Sequence, residues 1–440
     1  MPIAYRKVGA FRLSTTYDRY MGDSLLSVTP YFRDNSMDLL ASFRLSFDPT
    51  LAETENQSYG VMLKWRSDFA PLRARLIAGL DLDYSPGSRD ETRLNVVTQG
   101  AGASRRFLAY SFGPQVYDYD VSFSGVSPYL HGEISPTDRL RVTAGLRYDH
   151  LSYDFDNNFL PVAVAAAGRF YGQAPDTRVD FDRASPKIGA TYALNPDTHL
   201  RASFNTGFRA PSEGQLFRPS NATSAPAAQL SALSALGLEA IKAEQWEAGV
   251  RGAVAGLSYD LAVYNLELRD DIVSYRDPAT NATTVVNAGE TRHRGVEVGL
   301  GTPLGRDFRF DVAYSYSKQT YTDWVVPGVG NFSGKYIESA PNVLVNARLS
   351  WTPVAAALLQ LEWVRVGSYW LDQANTLKYE GYDLLNLRGN YALTPKLGVF
   401  ATVQNLLDER YADSASISSG TPVYSPSLPL TLYAGLEAKW

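Results

Sequence analysis

Apolar and polar side chains alternate along this chain with a period of two, in segments of about ten residues. In the last segment Leu430, Leu432, Ala434, Leu436, Ala438 and Trp440 share one face, and Thr431, Tyr433, Gly435, Glu437 and Lys439 the other. Successive side chains of a strand point to opposite faces of its sheet, so each segment predicts a strand with one apolar and one polar face. Leu200, Ala202, Phe204, Thr206 and Phe208 likewise oppose Arg201, Ser203, Asn205, Gly207 and Arg209. Leu140, Val142, Ala144 and Leu146 oppose Arg141, Thr143, Gly145 and Arg147, and the segments starting at Phe308 and Val343 repeat the pattern. Counting such segments predicts roughly 17 strands. No apolar run reaches the about 18 residues that a transmembrane helix needs.

The connections sort into two kinds. Short ones carry Pro, Gly, Asn or Asp, as in Asn195-Pro196-Asp197, Ala255-Gly256, Thr302-Pro303-Leu304-Gly305, Thr352-Pro353 and Thr394-Pro395-Lys396. Between them lie long stretches: 154–178, 210–242, 271–288, 321–338, 367–380 and 411–427. Bacterial outer-membrane barrels alternate in this way, with short turns toward the periplasm and long loops outside. The predicted architecture is all-β, a large antiparallel transmembrane β-barrel. Its apolar face meets lipid, and its charged face lines a wet or plugged lumen. The Ala/Leu-rich stretch 227–240, with Leu230, Leu233 and Leu236, predicts a short helix packed on the loops.

Composition fits that picture. No linker divides the 440 residues, so one barrel domain over 1–440 is expected. The chain is 45% hydrophobic, yet its mean hydropathy is only -0.20, because only alternate strand residues face lipid. The 28 Tyr, 19 Phe and 7 Trp suit the aromatic girdles of such a barrel. A net charge of -5 without a basic block argues against a nucleic-acid partner. Cysteine is absent, and His131, His150, His199 and His293 show no ligand spacing. No phosphate loop or nucleophile elbow is present. Hence no catalytic residue, metal site or cofactor is expected, and the protein is read as no enzyme. The start, MPIAYRKVGAFRLS, lacks the apolar core of a secretory signal. This predicts a fragment, a mature form or the product of a late start site.

Four stretches narrow the reading. NPDTHLRASFNTGFRAP (195–211), IKAEQWEAGVRG (241–252), NAGETRHRGVEVGL (287–300) and the tail QNLLDERYADSAS with its closing Trp440 occur in that order. In sequence and spacing they resemble the barrel of TonB-dependent outer-membrane receptors over 135–440, and more loosely before. The resemblance implies part of a 22-stranded barrel, with about five strands missing ahead of it. It also implies a missing plug domain and a missing TonB-binding segment. In the whole protein, the inner-membrane TonB complex would drive uptake of a scarce ligand, most often a ferric siderophore. The implied partners are outer-membrane lipid, a ferric chelate or similar small ligand, the TonB complex and the barrel assembly machinery. A passive pore and a non-functional receptor fragment are the alternatives.

Candidate residues follow from position. Aromatic faces beside guanidinium groups suit an anionic metal chelate. On the loops these are Arg105, Arg106, Tyr110, Arg169, Tyr171, Arg209, Arg218, Tyr275, Trp324, Tyr336 and Trp370. Arg201, Arg294, Glu297, Arg348 and Arg388 are expected on the wall that faces the lumen and plug. For Arg294 this requires a bulge near Gly295, because strict alternation sets it with Val296 and Val298. Tyr433, Gly435, Ala438 and Trp440 form the expected C-terminal assembly signal.

Overall fold

The computed structural model describes residues 4–40, 49–100, 105–219, 221–276, 283–287, 289–326, 328–418 and 420–439. Among these residues nineteen segments form one antiparallel sheet. Two are halves of the first strand and one is a two-residue loop piece, which leaves seventeen long strands. They are β1 (Tyr5–Ser14, continued by Tyr17–Met21), β2 (Ser24–Leu40), β3 (Thr50–Phe69), β4 (Ala74–Gln99), β5 (Arg106–Ile134) and β6 (Leu140–Asn157). Next come β7 (Thr177–Asn195), β8 (Thr198–Arg209), β9 (Ile241–Val254), β10 (Leu257–Arg269), β11 (Gly289–Leu304) and β12 (Phe308–Val326). The last are β13 (Val343–Trp351), β14 (Ala357–Val366), β15 (Tyr382–Thr394), β16 (Leu397–Gln404) and β17 (Thr431–Ala438). Each long strand pairs with the next in sequence, and among the described residues no pairing joins β1 to β17. The predicted strand count and the alternation of short and long connections both hold.

The short turns are set by local geometry. Ala255 and Gly256 both have positive φ, 49° and 85°, as a two-residue hairpin loop with right-twisted strands requires. Registers run unbroken across most of the sheet, so the apolar rows line up. Val142, Ala190, Ala202, Ala248, Val263 and Val296 stand opposite one another from β6 to β11. Aromatics mark the ends of this band. Phe308 stacks on Trp351 at 5.8 Å near the short turns, and Tyr314 and Tyr316 close it above.

The outer parts of β4 to β7 depart from simple alternation. Below Tyr148, β6 turns Leu140, Val142, Ala144 and Leu146 outward and Arg141, Thr143, Gly145 and Arg147 inward. Above it the faces exchange character: His150, Ser152 and Asp154 lie outward, while Leu151, Tyr153 and Phe155 lie inward. Strand β7 does the same, with Asp180 and Asp182 outward and Val179 and Phe181 inward. A strand that has left the lipid has no reason to keep an apolar outer face. Its inner face becomes apolar here because a loop folds onto it.

That loop follows β8. It carries α1 (Glu213–Phe217) and α2 (Ala225–Ala235). Phe217 stacks on Phe155 at 4.2 Å, and Leu216, Tyr117, Tyr119, Tyr171 and Phe181 complete one buried cluster. The predicted helix exists, but its buried face is alanine (Ala227, Ala228, Ala232 and Ala235), while Leu230 and Leu233 are exposed. The reason lies at Gly172, where even a Cβ would run into the Ala228 carbonyl. So close a backbone approach admits only small side chains.

Candidate functional site

The long connections form two groups at the outer rim. In the first, α1 is fixed by a capping box: Ser212 Oγ accepts from the Gln215 N–H at 3.3 Å, and Gln215 Oε1 from the Ser212 N–H at 2.9 Å. Glu91 of β4 is 1% exposed and receives Arg218 through two hydrogen bonds, that from Nη2 at 2.8 Å. Arg89 donates to the same carboxylate, from Nε at 3.0 Å. Burial works against the Arg218 charge, yet the Glu91 carboxylate more than offsets this and raises the guanidinium pKa. Tyr117 donates to the Pro219 carbonyl at 2.7 Å, and Tyr119 donates to Glu213. Gln229 of α2 donates to the Gln173 carbonyl at 2.7 Å, tying the helix to the loop that follows β6.

The second group joins the loops after β12, β14 and β16. Asn375 accepts from the Tyr336 N–H at 2.7 Å and returns a bond to the Tyr336 carbonyl at 2.9 Å. Ser339 N–H donates to the Trp370 carbonyl at 2.8 Å. Tyr379 donates to the Ala412 carbonyl at 3.2 Å and accepts from its N–H at 2.9 Å. Asp372 accepts from the backbone of Thr376 and Leu377, both at 2.9 Å. Partial burial pushes its pKa up, but these N–H groups and the Thr376 hydroxyl outweigh that and hold it below the usual carboxylate range.

The loop candidates separate by exposure. Tyr171 is 1% exposed, packed edge-on against Tyr117 and bonded by Arg93. Arg218 is spent on Glu91, and Trp324 is buried against Tyr321 at 4.3 Å. These three side chains serve packing in this structure. Arg105, Arg106 and Arg209 are exposed, and Arg169 and Trp370 are half-buried at the surface. Tyr110 is exposed and lies edge-on to Phe112. Trp370 has the Lys378 ammonium 5.9 Å from its ring, and Tyr336 has that of Lys318 at 5.8 Å. Tyr275 sits opposite Thr284 in a hairpin after β10, and its side chain lies outside the described residues.

Four of the five wall candidates face the lumen. Arg201 lies between Asp260 at 2.6 Å and Glu247 at 3.3 Å. Arg348 stands opposite Asp311 on one side and Glu362 on the other. Glu362 also accepts from Arg388 at 3.2 Å and from Asn346 at 2.9 Å. Glu297 shares this face with Ala262 and Ser315. Arg294 lies on the lipid side instead. The bulge that would have turned it inward falls between Glu290 and Thr291, and from Thr291 to Leu304 the register is unbroken. Arg294 therefore keeps the face of Val296 and Val298.

Of the C-terminal residues, Tyr433 and Gly435 face the lumen, and Phe400 fills the space a side chain on Gly435 would need. Ala438 lies opposite Leu397, and Trp440 is outside the described residues. Nothing in the sequence marks Glu91 or Asn375 as structural anchors. Glu91 reads there as one acid in the charged run Ser88 to Arg93, and no local signal marks a buried group.

Known proteins share this architecture. The chain is 24% identical over 374 residues to the rhizobactin receptor of Rhizobium meliloti, covering 79% of the chain and 48% of that protein. It is 23% identical over 230 residues to the vitamin B12 transporter of Photobacterium profundum, covering 51% of the chain and 34% of that protein. The crystal structure of the siderophore receptor PiuA from Acinetobacter baumannii superimposes with a TM-score of 0.75 at 15% identity. That likeness covers 100% of the chain and 65% of the receptor. The chain thus spans about half the length, or less, of the curated relatives it matches. Fold and family indicate the outer membrane. Over residues 4–406 the chain matches the family described as TonB dependent receptor-like, beta-barrel, and it belongs to that family.

Proposed function

We propose that this chain forms the barrel wall and outer mouth of a receptor that takes up a scarce anionic metal chelate, a ferric siderophore above all. In the whole protein, energy would come from the TonB complex. The observation that carries this reading is the chemistry left exposed on the outer loops after packing has claimed the rest. Arg105, Arg106, Arg169 and Arg209 stand free of ion pairs among the described residues, and Lys378 lies over Trp370. Guanidinium groups recognise chelate carboxylates or catecholates, and an indole offers a flat apolar face. Below them the wall stays polar and charged, which suits passage of a hydrated ion complex.

A binding titration in detergent, read by tryptophan quenching, tests it. The panel holds hydroxamate, catecholate and carboxylate ferric chelates, with cobalamin as the neutral competitor. At least one ferric chelate is expected to bind, and Lys378→Ala with Trp370→Ala to weaken it about tenfold or more. Preference for cobalamin over every ferric chelate would overturn the reading.

A further inference from the structure

Arg294 is left over from the lumen wall, and its neighbours show what it faces. A row of lipid-side residues runs straight across five strands: Phe204, Trp246, Asn265, Arg294 and Lys318. The row beneath it, Ala202, Ala248, Val263, Val296 and Tyr316, is the top of the apolar band. Along β12 the outward residues Phe308, Phe310, Val312, Tyr314 and Tyr316 are apolar or aromatic, and Lys318 is the first charge above them. From Phe308 to Tyr316 the span matches the about nine residues a strand needs to cross lipid. Arg294 and Lys318 therefore sit where the strands leave the hydrocarbon.

They are also directly opposite each other, an arrangement of like charges that destabilises a sheet unless something neutralises it. Among the described residues no carboxylate does. In the row above, Glu267 is held by Arg292 at 2.9 Å, and Arg269 reaches Glu244 at 3.8 Å and Glu267 at 3.9 Å. Arg294 forms no ion pair among the described residues, and the ammonium of Lys318 meets only the Tyr336 ring there. Trp246, 60% exposed, stands in the same row beyond Asn265 with its indole at interface height.

We infer that Arg294 and Lys318 bind a phosphate of a lipid in the outer leaflet. A guanidinium and an ammonium side by side can share one phosphate through charge-assisted hydrogen bonds. Trp246 lies alongside for the acyl or sugar portion. The pair faces lipid and not the lumen, so this site stands independently of the chelate reading.

Native mass spectrometry of the protein in dodecyl maltoside tests it, with three probes at equal concentration: diphosphoryl lipid A, its dephosphorylated form and inorganic phosphate. Diphosphoryl lipid A should bind, and the other two should not compete. Arg294→Gln with Lys318→Gln should weaken binding roughly thirtyfold, and each alone about fivefold. Arg251→Gln, on the lumen face opposite Asp260, should leave it unchanged. Equal binding of the dephosphorylated lipid, equal binding by the double variant, or capture of free phosphate alone would overturn the inference. Should the double variant lose strand content by circular dichroism, Arg294→Lys decides: binding kept within about threefold supports the site, and its loss overturns it.

Discussion

Over β4 to β9 the outer mouth is closed by a buried carboxylate, two guanidinium groups and an apolar wall that receives a helix. Over β12 to β17 the loops are held by asparagine and aspartate side chains bonded to backbone groups a few residues away or on the next loop. The first design concentrates its energy in groups that water cannot reach, so losing one partner strands the others. The second spreads modest bonds over many exposed groups, and each can be replaced by water. The first group should therefore fail all at once and the second by degrees.

Glu91→Ala is expected to have the largest effect, because it leaves Arg218 and Arg89 without their shared acid. Breaking a buried pair from one side costs about 3–5 kcal/mol. Limited proteolysis should then cut the connection between β8 and β9, with the loops after β12 and β14 still protected. Equal loss in both groups would show them to be one unit. Gly172→Val should follow at about 1–3 kcal/mol, since the new side chain meets the Ala228 backbone. Its signature is faster amide exchange confined to α2 and the loop after β6. Asn375→Ala removes the clamp on Tyr336 and should cost about 1–2 kcal/mol, seen as faster exchange at 333–342 and 367–377 alone.

The smallest effect concerns acid. Asp372 has a folded pKa below its ordinary value of 3.8. Its contribution is then fully present above that value and is lost as pH falls through the folded pKa. Proteolysis of the loop after β14 by an acid-tolerant protease should quicken as pH falls below about 4, and Asp372→Asn should remove that pH dependence. Arg218, paired with Glu91, points the other way. Its raised pKa keeps that charge in place far into alkali, so base within the working range should not release α1.

Alternation made most of the fold legible, since lipid imposes one rule on every strand at once. The strand count, the sides on which short and long connections fall, and the lumen-facing positions of Arg201, Glu297, Arg348 and Arg388 all follow from it. The rule ends with the lipid. Leu151, Tyr153 and Phe155 point inward because α1 covers them, and only the folded chain brings residue 217 to residue 155. Arg294 teaches the converse, because plain alternation placed it correctly and only the expected bulge near Gly295 turned it to the lumen. Tyr171, Arg218 and Trp324 looked like ligand contacts since aromatic and basic residues serve packing and recognition equally well. Their partners, Tyr117, Glu91 and Tyr321, lie in other strands or look unremarkable in sequence.

Strand β5 is 29 residues long and β4 is 26, far more than any bilayer requires. At about 3.3 Å per residue and a tilt near 40°, such a hairpin climbs roughly 70 Å, some 40 Å beyond the hydrocarbon. The molecule thus carries a watchtower on one side of its mouth. A phage, an antibody or a toxin arriving from outside would meet the tip near Asn95 and Tyr110 well before it reached the rim.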